Sequence, residues 1–281
     1  MMPTINNLKT MKDGESVSLI LWVQTIRNMG KISFISARDG TGEVQVVVKK
    51  STEGFEHVDD LSIESAITVQ ALIKKDARSK NGIELQAQEL TVLNKSSNEY
   101  PIQPKEHSAA FLLENRHLWI RTPKQAAVLR IRSTLEVEAQ NWLDSQGYYR
   151  VDSPILTPNA CEGTTTLFNL EYFEQEAYLS QSGQLYNEAT ALALGKVYCF
   201  GPTFRAEKSK TRKHLTEFWM LEPEAVGLDL NGLLELQENL FVSLVKKVLE
   251  KNSEDLKTLE RDTSKLEEIK IKTEADELNK E

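Results

Sequence analysis

The chain has 281 residues, of which 40% are hydrophobic and 27% are charged, and its formal net charge is −8. This length suffices for two domains. The net charge is negative, whereas many nucleic-acid-binding domains are basic, although a local basic patch can lie on an acidic protein. Two isolated cysteines, scattered histidines and the lack of any long apolar run exclude a disulfide framework, a metal site and a membrane span, so we expect a cytoplasmic protein with no membrane partner.

The first third of the chain alternates between apolar and polar residues in short runs separated by turn residues. The pattern Asp39-Gly40-Thr41-Gly42 between two such runs is typical of a β-hairpin turn. Five strands and one helical stretch near 52–64 predict a small Greek-key barrel of the OB type. We expect this domain over 1–100 and a proline-containing hinge over 101–115. The strand-like runs are 17–23, 31–38, 43–48, 65–73 and 82–87.

The hydrophobic period changes to that of a helix after Thr122. Pro123 suits the first turn of a helix, and Gly147 suits its end, so a long helix is predicted over 126–146. These patterns predict an α+β second domain over 116–252, followed by a charged helical tail over 253–281. Further predicted elements are short strands near 148–151 and 178–180, a helix over 182–194 and a long helix over 230–251.

The segment 204–224 is the most informative about chemistry. Arg205 and Glu207 follow one apolar run, a basic loop comes next, and His214 and Phe218 open the second run. This order predicts a β-hairpin that presents four functional side chains to one ligand. Such a set suits a nucleoside triphosphate: the Arg can bind a phosphate oxygen, the Phe can stack on the base, and the Glu can accept hydrogen bonds from the amine and ribose side. Packing can explain each residue alone but explains all four at this spacing poorly.

The hairpin resembles the second signature motif of the class II aminoacyl-tRNA synthetases. The segment 147–156 resembles their first motif, whose proline, here Pro154, lies at a dimer interface. The family fold implied by the resemblance is an OB barrel joined to a catalytic domain with an antiparallel sheet flanked by helices. The resemblance also implies ATP with Mg²⁺, a homodimer, and transfer of an amino acid to tRNA through an aminoacyl-adenylate.

The resemblance gives roles to the four hairpin residues. By it, Arg205 holds the α-phosphate and Phe218 stacks on adenine, while Glu207 and His214 contact the nucleotide. The protein would accelerate the reaction mainly by positioning the reactants and stabilising charge, with Mg²⁺ on the phosphates. On this basis Arg205 and Glu207 are the candidate catalytic residues.

The resemblance also suggests which amino acid is bound. It places Glu162 in a mobile loop that takes the α-ammonium group, and Gln184 and Glu188 at the helix start where the side chain is read. Aspartyl enzymes carry a lysine three residues after the glutamine, where this chain has Asn187. A pocket with a carboxylate and without that cation suits an amide, which implies asparagine and tRNA(Asn). The alternative for Glu188 is an exposed acid favoured by the helix dipole.

The barrel resembles the anticodon-binding domain of the aspartyl, asparaginyl and lysyl subgroup. By that resemblance Phe34 stacks on an anticodon base, Gln45 reads a base edge, Arg27 contacts the RNA backbone and Glu84 reads a base. Stacking on an aromatic ring contributes about 1–3 kcal/mol per base. The alternative for Phe34 is a core position, because alternating strands need core aromatics.

The sequence departs from the family at its third motif, a glycine-rich strand and helix that ends in an arginine. Gly232 is the last glycine of this sequence, so no later segment matches that motif. We therefore expect this chain alone to form little or no aminoacyl-adenylate. Two further hypotheses remain open, a synthetase-derived tRNA-binding protein without catalysis and an aspartyl-tRNA ligase.

Overall fold

The computed structural model describes residues 2–79, 81–97, 99–161, 167–209, 211 and 213–269. The chain divides into two compact units, Met1–Ala126 and Ala127–Glu281. The first contains a β-barrel and the second combines helices with small sheets, so the predicted α+β class is confirmed. The finer boundaries expected at residues 100 and 115 stay predictions.

A closed five-stranded barrel forms the body of the first unit. A one-turn helix, α1, precedes it, and the strand order around the barrel is β1-β2-β3-β5-β4. All neighbouring pairs are antiparallel except β3 and β5, which run parallel. This arrangement confirms the predicted OB-type barrel. The elements are α1 (Ile5–Leu8), β1 (Ser16–Asn28), β2 (Ile32–Arg38), β3 (Glu43–Lys49), β4 (Ala66–Lys75) and β5 (Ile83–Asn94).

The barrel forms because each strand turns alternate side chains inward. In β2 the inward side chains include Ile35 and Ala37, which are fully buried, whereas Phe34 lies on the outer face. The helical stretch expected near 52–64 is a single 3-10 helix, Phe55–Asp60. It begins after Gly54, which has a φ of +84° and where a Cβ would lie 2.0 Å from the Leu90 carbonyl oxygen. Only glycine fits this turn against β5.

Two short helices follow the barrel within the first unit, α2 (Ala109–Glu114) and α3 (Arg116–Trp119). The Ser108 hydroxyl accepts a hydrogen bond from the Phe111 amide and so caps α2. The Glu64 carboxylate accepts from Arg38 of β2 at 2.6 Å and from Arg121 at 3.2 Å. This three-membered ion network ties the segment after α3 to the barrel.

The described residues of the second unit form two three-stranded sheets with helices around them. One sheet has the order β11-β10-β6, with β10 and β11 antiparallel and β6 parallel to β10, and the other has the order β7-β9-β8. The long helices and the hairpin strands confirm the sequence patterns, whereas the β8–β9 hairpin was only partly predicted. The elements are α4 (Pro123–Ser145), β6 (Tyr149–Arg150), β7 (Leu156–Thr157), β8 (Asn169–Tyr172), β9 (Gln175–Leu179), α5 (Gln184–Leu194), β10 (Lys196–Phe204), β11 (Glu217–Ala225), α6 (Leu230–Lys251), α7 (Ser253–Thr258) and α8 (Ser264–Glu267).

One face of the β11-β10-β6 sheet packs against helices. Tyr198 of β10 is buried with Leu143 and Tyr148, and Phe200 and Leu221 pack against this cluster. The side chains at neighbouring positions, such as Cys199 and Glu222, therefore belong to the opposite face. That opposite face is covered in part by the start of α5.

Two ion pairs attach the end of α6 and the following helix α7 to α4. Arg130 of α4 lies 2.7 Å from the Asp255 carboxylate of α7, and Lys251 lies 2.6 Å from Glu138. Both carboxylates are largely buried, and an unpaired buried charge would destabilise the fold. The two cations offset that cost. The tail was expected to be helical, and α7 and α8 are helices within it. Residues 270–281 of the predicted tail lie outside the described residues.

Candidate functional site

The predicted hairpin is formed by β10 and β11, and its open end carries Arg205 and Phe218. Thr203 pairs with Phe218, and the Arg205 amide continues the ladder by donating to the Thr216 carbonyl at 2.9 Å. Since Arg205 is two residues beyond Thr203, its side chain shares the face of Phe218. The guanidinium carbon lies 6.0 Å from the Phe218 ring centroid, and both side chains are half-buried. The structure thus brings a cation and an aromatic ring together.

Glu207 and His214 lie in the loop between these strands, and both are exposed. The His214 ring nitrogen Nδ1 is hydrogen-bonded to the Thr211 hydroxyl. Their expected contacts with a nucleotide stay predictions.

The same face of β11 leads from the hairpin end to the start of α5. Phe218, Met220, Glu222 and Glu224 alternate along it, and Glu222 is opposite Cys199 of β10. The Glu222 carboxylate accepts hydrogen bonds from the Ser182 hydroxyl and from the Gly183 amide, the latter at 3.2 Å. At about 3.4 Å per strand residue, Phe218 and Glu222 lie about 14 Å apart along the strand.

Gln184 and Glu188 are exposed on the first turns of α5 and point the same way. They are four residues apart, and the Gln184 amide donates to the Glu188 carboxylate at 2.8 Å. Their predicted neighbour Glu162 lies outside the described residues. Gln184 and Glu188 are therefore placed as one polar pair near the sheet face that carries Arg205 and Phe218.

Asn187 has a different environment from the one that the sequence suggested. It is 0% exposed, and its amide, with oxygen and nitrogen assigned to suit its neighbours, donates to the Val151 carbonyl at 3.2 Å and accepts from the Cys199 amide at 3.1 Å. The Asn187 side chain therefore faces the sheet and forms hydrogen bonds with two backbone groups. Asn187 is thus not on the exposed face of α5 that carries Gln184 and Glu188.

The site is electrostatically negative around α5. Burial, followed by the charges of Glu188 and Glu222, raises the pKa of Glu224 above its ordinary value. Burial, followed by the charge of Glu222, raises the pKa of the Cys199 thiol to about 11. The thiol therefore stays protonated at neutral pH and lies 3.7 Å from the Glu222 carboxylate, to which it donates. A further carboxylate placed directly beside Glu188 and Glu222 would be repelled.

Sequence reasoning missed Glu222, Ser182 and Cys199 as members of the site. The signal was present for Glu222, because it is four residues after Phe218 in a strand and must share its face. No sequence signal pointed to Ser182, since its partner is 40 residues away.

The barrel carries a second group of predicted residues on its outer face. Arg27 of β1 pairs in register with Phe34 of β2, and its guanidinium carbon lies 5.4 Å from the Phe34 ring centroid. Phe34 is half-buried and points away from the core, which argues against the alternative that it is a core residue. An outward aromatic ring beside a cation is suited to stacking on a nucleobase.

Gln45 and Glu84 lie beside this pair on the same outer face. Gln45 is exposed and donates to Glu84 at 3.4 Å. Glu84 is only 7% exposed and also accepts from Lys74 and Gln86, each at 2.8 Å. The structure therefore brings all four predicted RNA residues to one face, and the Glu84 carboxylate is held in place by three donors.

Pro154 is exposed, as are its apolar neighbours Ile155 and Leu156, at 43% and 44%. An apolar exposed strip of this kind is compatible with a contact to another chain, and the predicted dimer role stays a prediction. Within the described residues, no group of three or more His, Cys, Asp or Glu side chains is placed to hold a metal ion. Among those residues no helix has the length and apolar character needed to cross a membrane.

Comparison with known families gives two matches. The family described as "tRNA synthetases class II (D, K and N)" matches residues 108–280. A second family, described as "OB-fold nucleic acid binding domain", matches residues 17–93. The asparagine–tRNA ligase of Desulforamulus reducens is 52% identical over 259 residues, which are 92% of this chain and 60% of that relative. The asparagine–tRNA ligase of Koribacter versatilis is 50% identical over 92% of this chain and 59% of its own length. This chain thus spans about 60% of the length of these relatives.

Solved structures show the same relationship. The crystal structure of asparaginyl-tRNA synthetase from Pyrococcus horikoshii, complexed with asparaginyl-adenylate, has a TM-score of 0.89 and 40% identity, covering 97% of this chain and 64% of that chain. A structure of a putative aspartyl-tRNA synthetase from Leishmania major has a TM-score of 0.75 and 26% identity, covering 88% of this chain and 52% of its own. The likeness to the asparaginyl protein is greater by both measures.

Proposed function

The chain belongs to the class II tRNA synthetases of the D, K and N group, and from this we propose that it binds ATP, asparagine and tRNA(Asn) as part of an asparagine–tRNA ligase. The observation that carries this proposal is the shared face of β10 and β11. On that face the Arg205–Phe218 pair is followed by the start of α5 with Gln184 and Glu188.

The proposed chemistry has two steps. The carboxylate of asparagine attacks the α-phosphorus of ATP, the bond to the β-phosphate breaks, and pyrophosphate leaves. A hydroxyl of the terminal tRNA ribose then attacks the acyl carbon, and AMP leaves. Arg205 stabilises the negative charge that develops on the α-phosphate, and Phe218 holds the adenine by stacking. Glu207 and His214 bind the nucleotide from the loop.

Mg²⁺ enters this proposal only with ATP. We assign the ion to the phosphates of the bound nucleotide. The chemistry that it supplies when bound is neutralisation of phosphate charge.

Asparagine is proposed over aspartate for an electrostatic reason. Glu188 is exposed beside Gln184, and Glu222 and Glu224 add negative charge nearby. An amide side chain can donate to Glu188, whereas a carboxylate at the same place would be repelled. Glu162 is assigned to the α-ammonium group. The identity to the Pyrococcus horikoshii asparaginyl structure is higher than that to the Leishmania major aspartyl structure, which supports the same choice.

The barrel is proposed to bind the anticodon of tRNA(Asn). Phe34 stacks on a base, Arg27 neutralises a phosphate, and Gln45 and the held Glu84 read base edges. This assignment requires no basic domain, since one aromatic–cation pair on an acidic protein provides a local contact.

We test nucleotide binding by isothermal titration calorimetry of the full chain with ATP. Arg205→Ala and Phe218→Ala should each weaken ATP binding by about 5- to 150-fold, because a hydrogen bond to a charged group and a stacked base each contribute about 1–3 kcal/mol. Glu217→Ala is the matched control, since Glu217 is exposed on the same strand but on its other face. Unchanged ATP affinity in both variants would remove the basis of the proposal.

A second candidate is tRNA binding without ligation. The closed barrel with its outward Arg27–Phe34 pair favours it, because the RNA face is whole within one unit. Amino-acid-dependent exchange between ATP and pyrophosphate separates the two functions. Exchange supported by asparagine establishes the ligase chemistry for this chain, whereas tRNA binding without exchange leaves the binding role.

We also propose that the chain forms a homodimer through the surface around Pro154 and that it acts in the cytoplasm, where translation takes place. The exposed Ile155 and Leu156 support the dimer. Sedimentation velocity should show a dimer that Ile155→Asp weakens, and a monomer at all concentrations would contradict it.

A further inference from the structure

The segment that follows the barrel is held at both ends by one corner of the barrel. This corner consists of residues 62–65, between the 3-10 helix and β4. At the near end, the Ser96 amide donates to the Ser65 hydroxyl at 3.2 Å. At the far end, the Arg121 guanidinium lies 3.2 Å from the Glu64 carboxylate. The segment therefore leaves the corner and returns to it.

The corner itself is fixed by its backbone. Glu64 has a φ of +67°, which is uncommon for a residue other than glycine and persists only where the surroundings hold it. Its amide donates to the Val23 carbonyl of β1 at 2.7 Å, and the Val23 amide donates to the Ser65 carbonyl at 2.9 Å. Ser65 is 0% exposed. These bonds to β1 give the Glu64 side chain one direction.

The Glu64 carboxylate has one buried partner and one exposed partner. A terminal nitrogen of Arg38 donates to both Glu64 oxygens, at 2.6 and 2.7 Å, and the Arg38 guanidinium also lies over the Trp22 ring at 5.5 Å. The side chains of Glu64 and Arg38 are 8% and 16% exposed, whereas that of Arg121 is 44% exposed. Exposed ion pairs are weak and are screened by salt, whereas breaking a buried pair is costly. The contact with Arg121 is therefore the weaker of the two.

Residues 100–121, which we call the strap, are also joined to one another. The His107 ring stacks on Phe111 with the centroids 4.9 Å apart, and a His107 ring nitrogen is hydrogen-bonded to the Gln103 carbonyl at 3.0 Å. The Asn115 side chain donates to the Phe111 carbonyl at 3.0 Å and so connects α2 with α3. These helices have only six and four residues, which is too short for either to be stable alone. Their order must come from contacts outside each helix.

A cavity of about 350 Å³ lies between the strap and the barrel. Ser36 and Arg38 line it from the barrel, and Tyr100 and Leu118 line it from the strap. Burial, followed by the charge of Glu64, raises the pKa of the Tyr100 hydroxyl above its ordinary value. The strap thus forms one wall of the cavity beside the corner.

We propose that the strap is a latched element rather than a free hinge. The hydrogen bond at Ser65 is its permanent attachment, and the Glu64–Arg121 ion pair is a salt-sensitive latch. Release of this latch lets α2 and α3 move away from the barrel and opens the cavity, while Arg38 keeps Glu64 in place. This inference does not depend on the proposed function.

The test is amide hydrogen exchange in the full chain, measured by mass spectrometry at α2 and α3. In 0.1 M NaCl these amides should exchange at least about tenfold more slowly than those of an unfolded chain. Arg121→Gln should make their exchange about two- to fivefold faster, which is the range expected for an exposed ion pair, and should leave β4 unchanged. Lys105→Gln is the matched control, because Lys105 is an exposed cation of the same strap, and it should have no effect.

Salt and a double variant examine the latch itself. In 1 M NaCl the Debye length falls to about 3 Å, so exchange at α2 and α3 of the original chain should rise about two- to fivefold relative to β4. The same change of salt should have little effect on Arg121→Gln. A chain with both Glu64→Gln and Arg121→Gln should exchange like Glu64→Gln alone, because Arg121 acts through Glu64.

Exchange of α2 and α3 at the unfolded rate in the original chain would overturn the proposal, because it would show a free hinge. Equal exchange in the original chain and Arg121→Gln, no response to salt, or a further acceleration by Arg121→Gln in the Glu64→Gln background would refute the latch. Faster exchange of β4 in Arg121→Gln would also contradict it, since that result would indicate general damage to the barrel.

Discussion

The two units differ in how completely they cover their own apolar surface. In the barrel every strand has two neighbours, and apolar side chains from all five strands are buried together. In the second unit β11 has one described strand partner, and Trp219, Leu234 and Phe241 are 48%, 55% and 60% exposed. A barrel without edges is stable by itself, whereas an open edge beside exposed apolar groups is a surface that proteins usually cover. The barrel therefore covers its own apolar surface, whereas the second unit leaves apolar surface that depends more on its surroundings.

The largest expected effect concerns the buried position 187. Asn187→Lys should destabilise the second unit by about 3–5 kcal/mol, because it places an unpaired cation at a fully buried site and removes two hydrogen bonds. Differential scanning calorimetry should show the transition of the second unit lowered and that of the barrel unchanged. A fully stable variant that binds aspartate would instead show that position 187 does read the substrate.

The next prediction contrasts the two units directly. Leu21→Ala, at a fully buried position of β1, should lower the free energy of unfolding of the barrel by about 2–5 kcal/mol. The matched change Leu234→Ala, at an exposed position of α6, should change stability by less than about 0.5 kcal/mol. Urea unfolding followed by circular dichroism measures both. Similar losses in the two variants would mean that the exposed face of α6 is covered in solution.

A third prediction separates RNA binding from barrel stability. Phe34→Ala should weaken binding of an anticodon stem-loop by about 1–3 kcal/mol while leaving the barrel almost as stable, since Phe34 is on the outer face. The neighbouring Ile35→Ala should do the reverse, because Ile35 is fully buried. Fluorescence anisotropy and thermal unfolding distinguish them, and unaltered RNA affinity in Phe34→Ala would argue against stacking.

The smallest effect is a pH dependence at Glu224. Its pKa is raised in the folded chain, so the folded state favours the protonated form. The stability gained in this way is complete below the ordinary pKa and is lost as the pH rises through the raised one. Glu224→Gln should therefore gain stability relative to the original chain as the pH rises above the ordinary pKa of a glutamate, by less than about 1 kcal/mol because solvent screens a part-exposed carboxyl. A difference that does not vary with pH would contradict this.

Much of the fold follows from short-range pattern. The alternation at 31–38 predicts β2, and the change of period near Thr122 predicts α4, because strands and helices bury side chains with different spacing. The helix over 230–251 coincides with α6. The pairing of Arg205 with Phe218 was also accessible, since both belong to one hairpin whose strands must face each other.

What the sequence alone determined is therefore local: the elements, the hairpin, and the chemical types gathered near its open end. Tertiary structure decided which groups are buried and which contact each other across long separations. Asn187 is turned into the sheet and Glu222 holds a helix whose start is 39 residues earlier, and neither is visible in a periodic pattern. The physical reason is that burial and long-range hydrogen bonds depend on how elements pack, whereas period and capping depend only on neighbours along the chain.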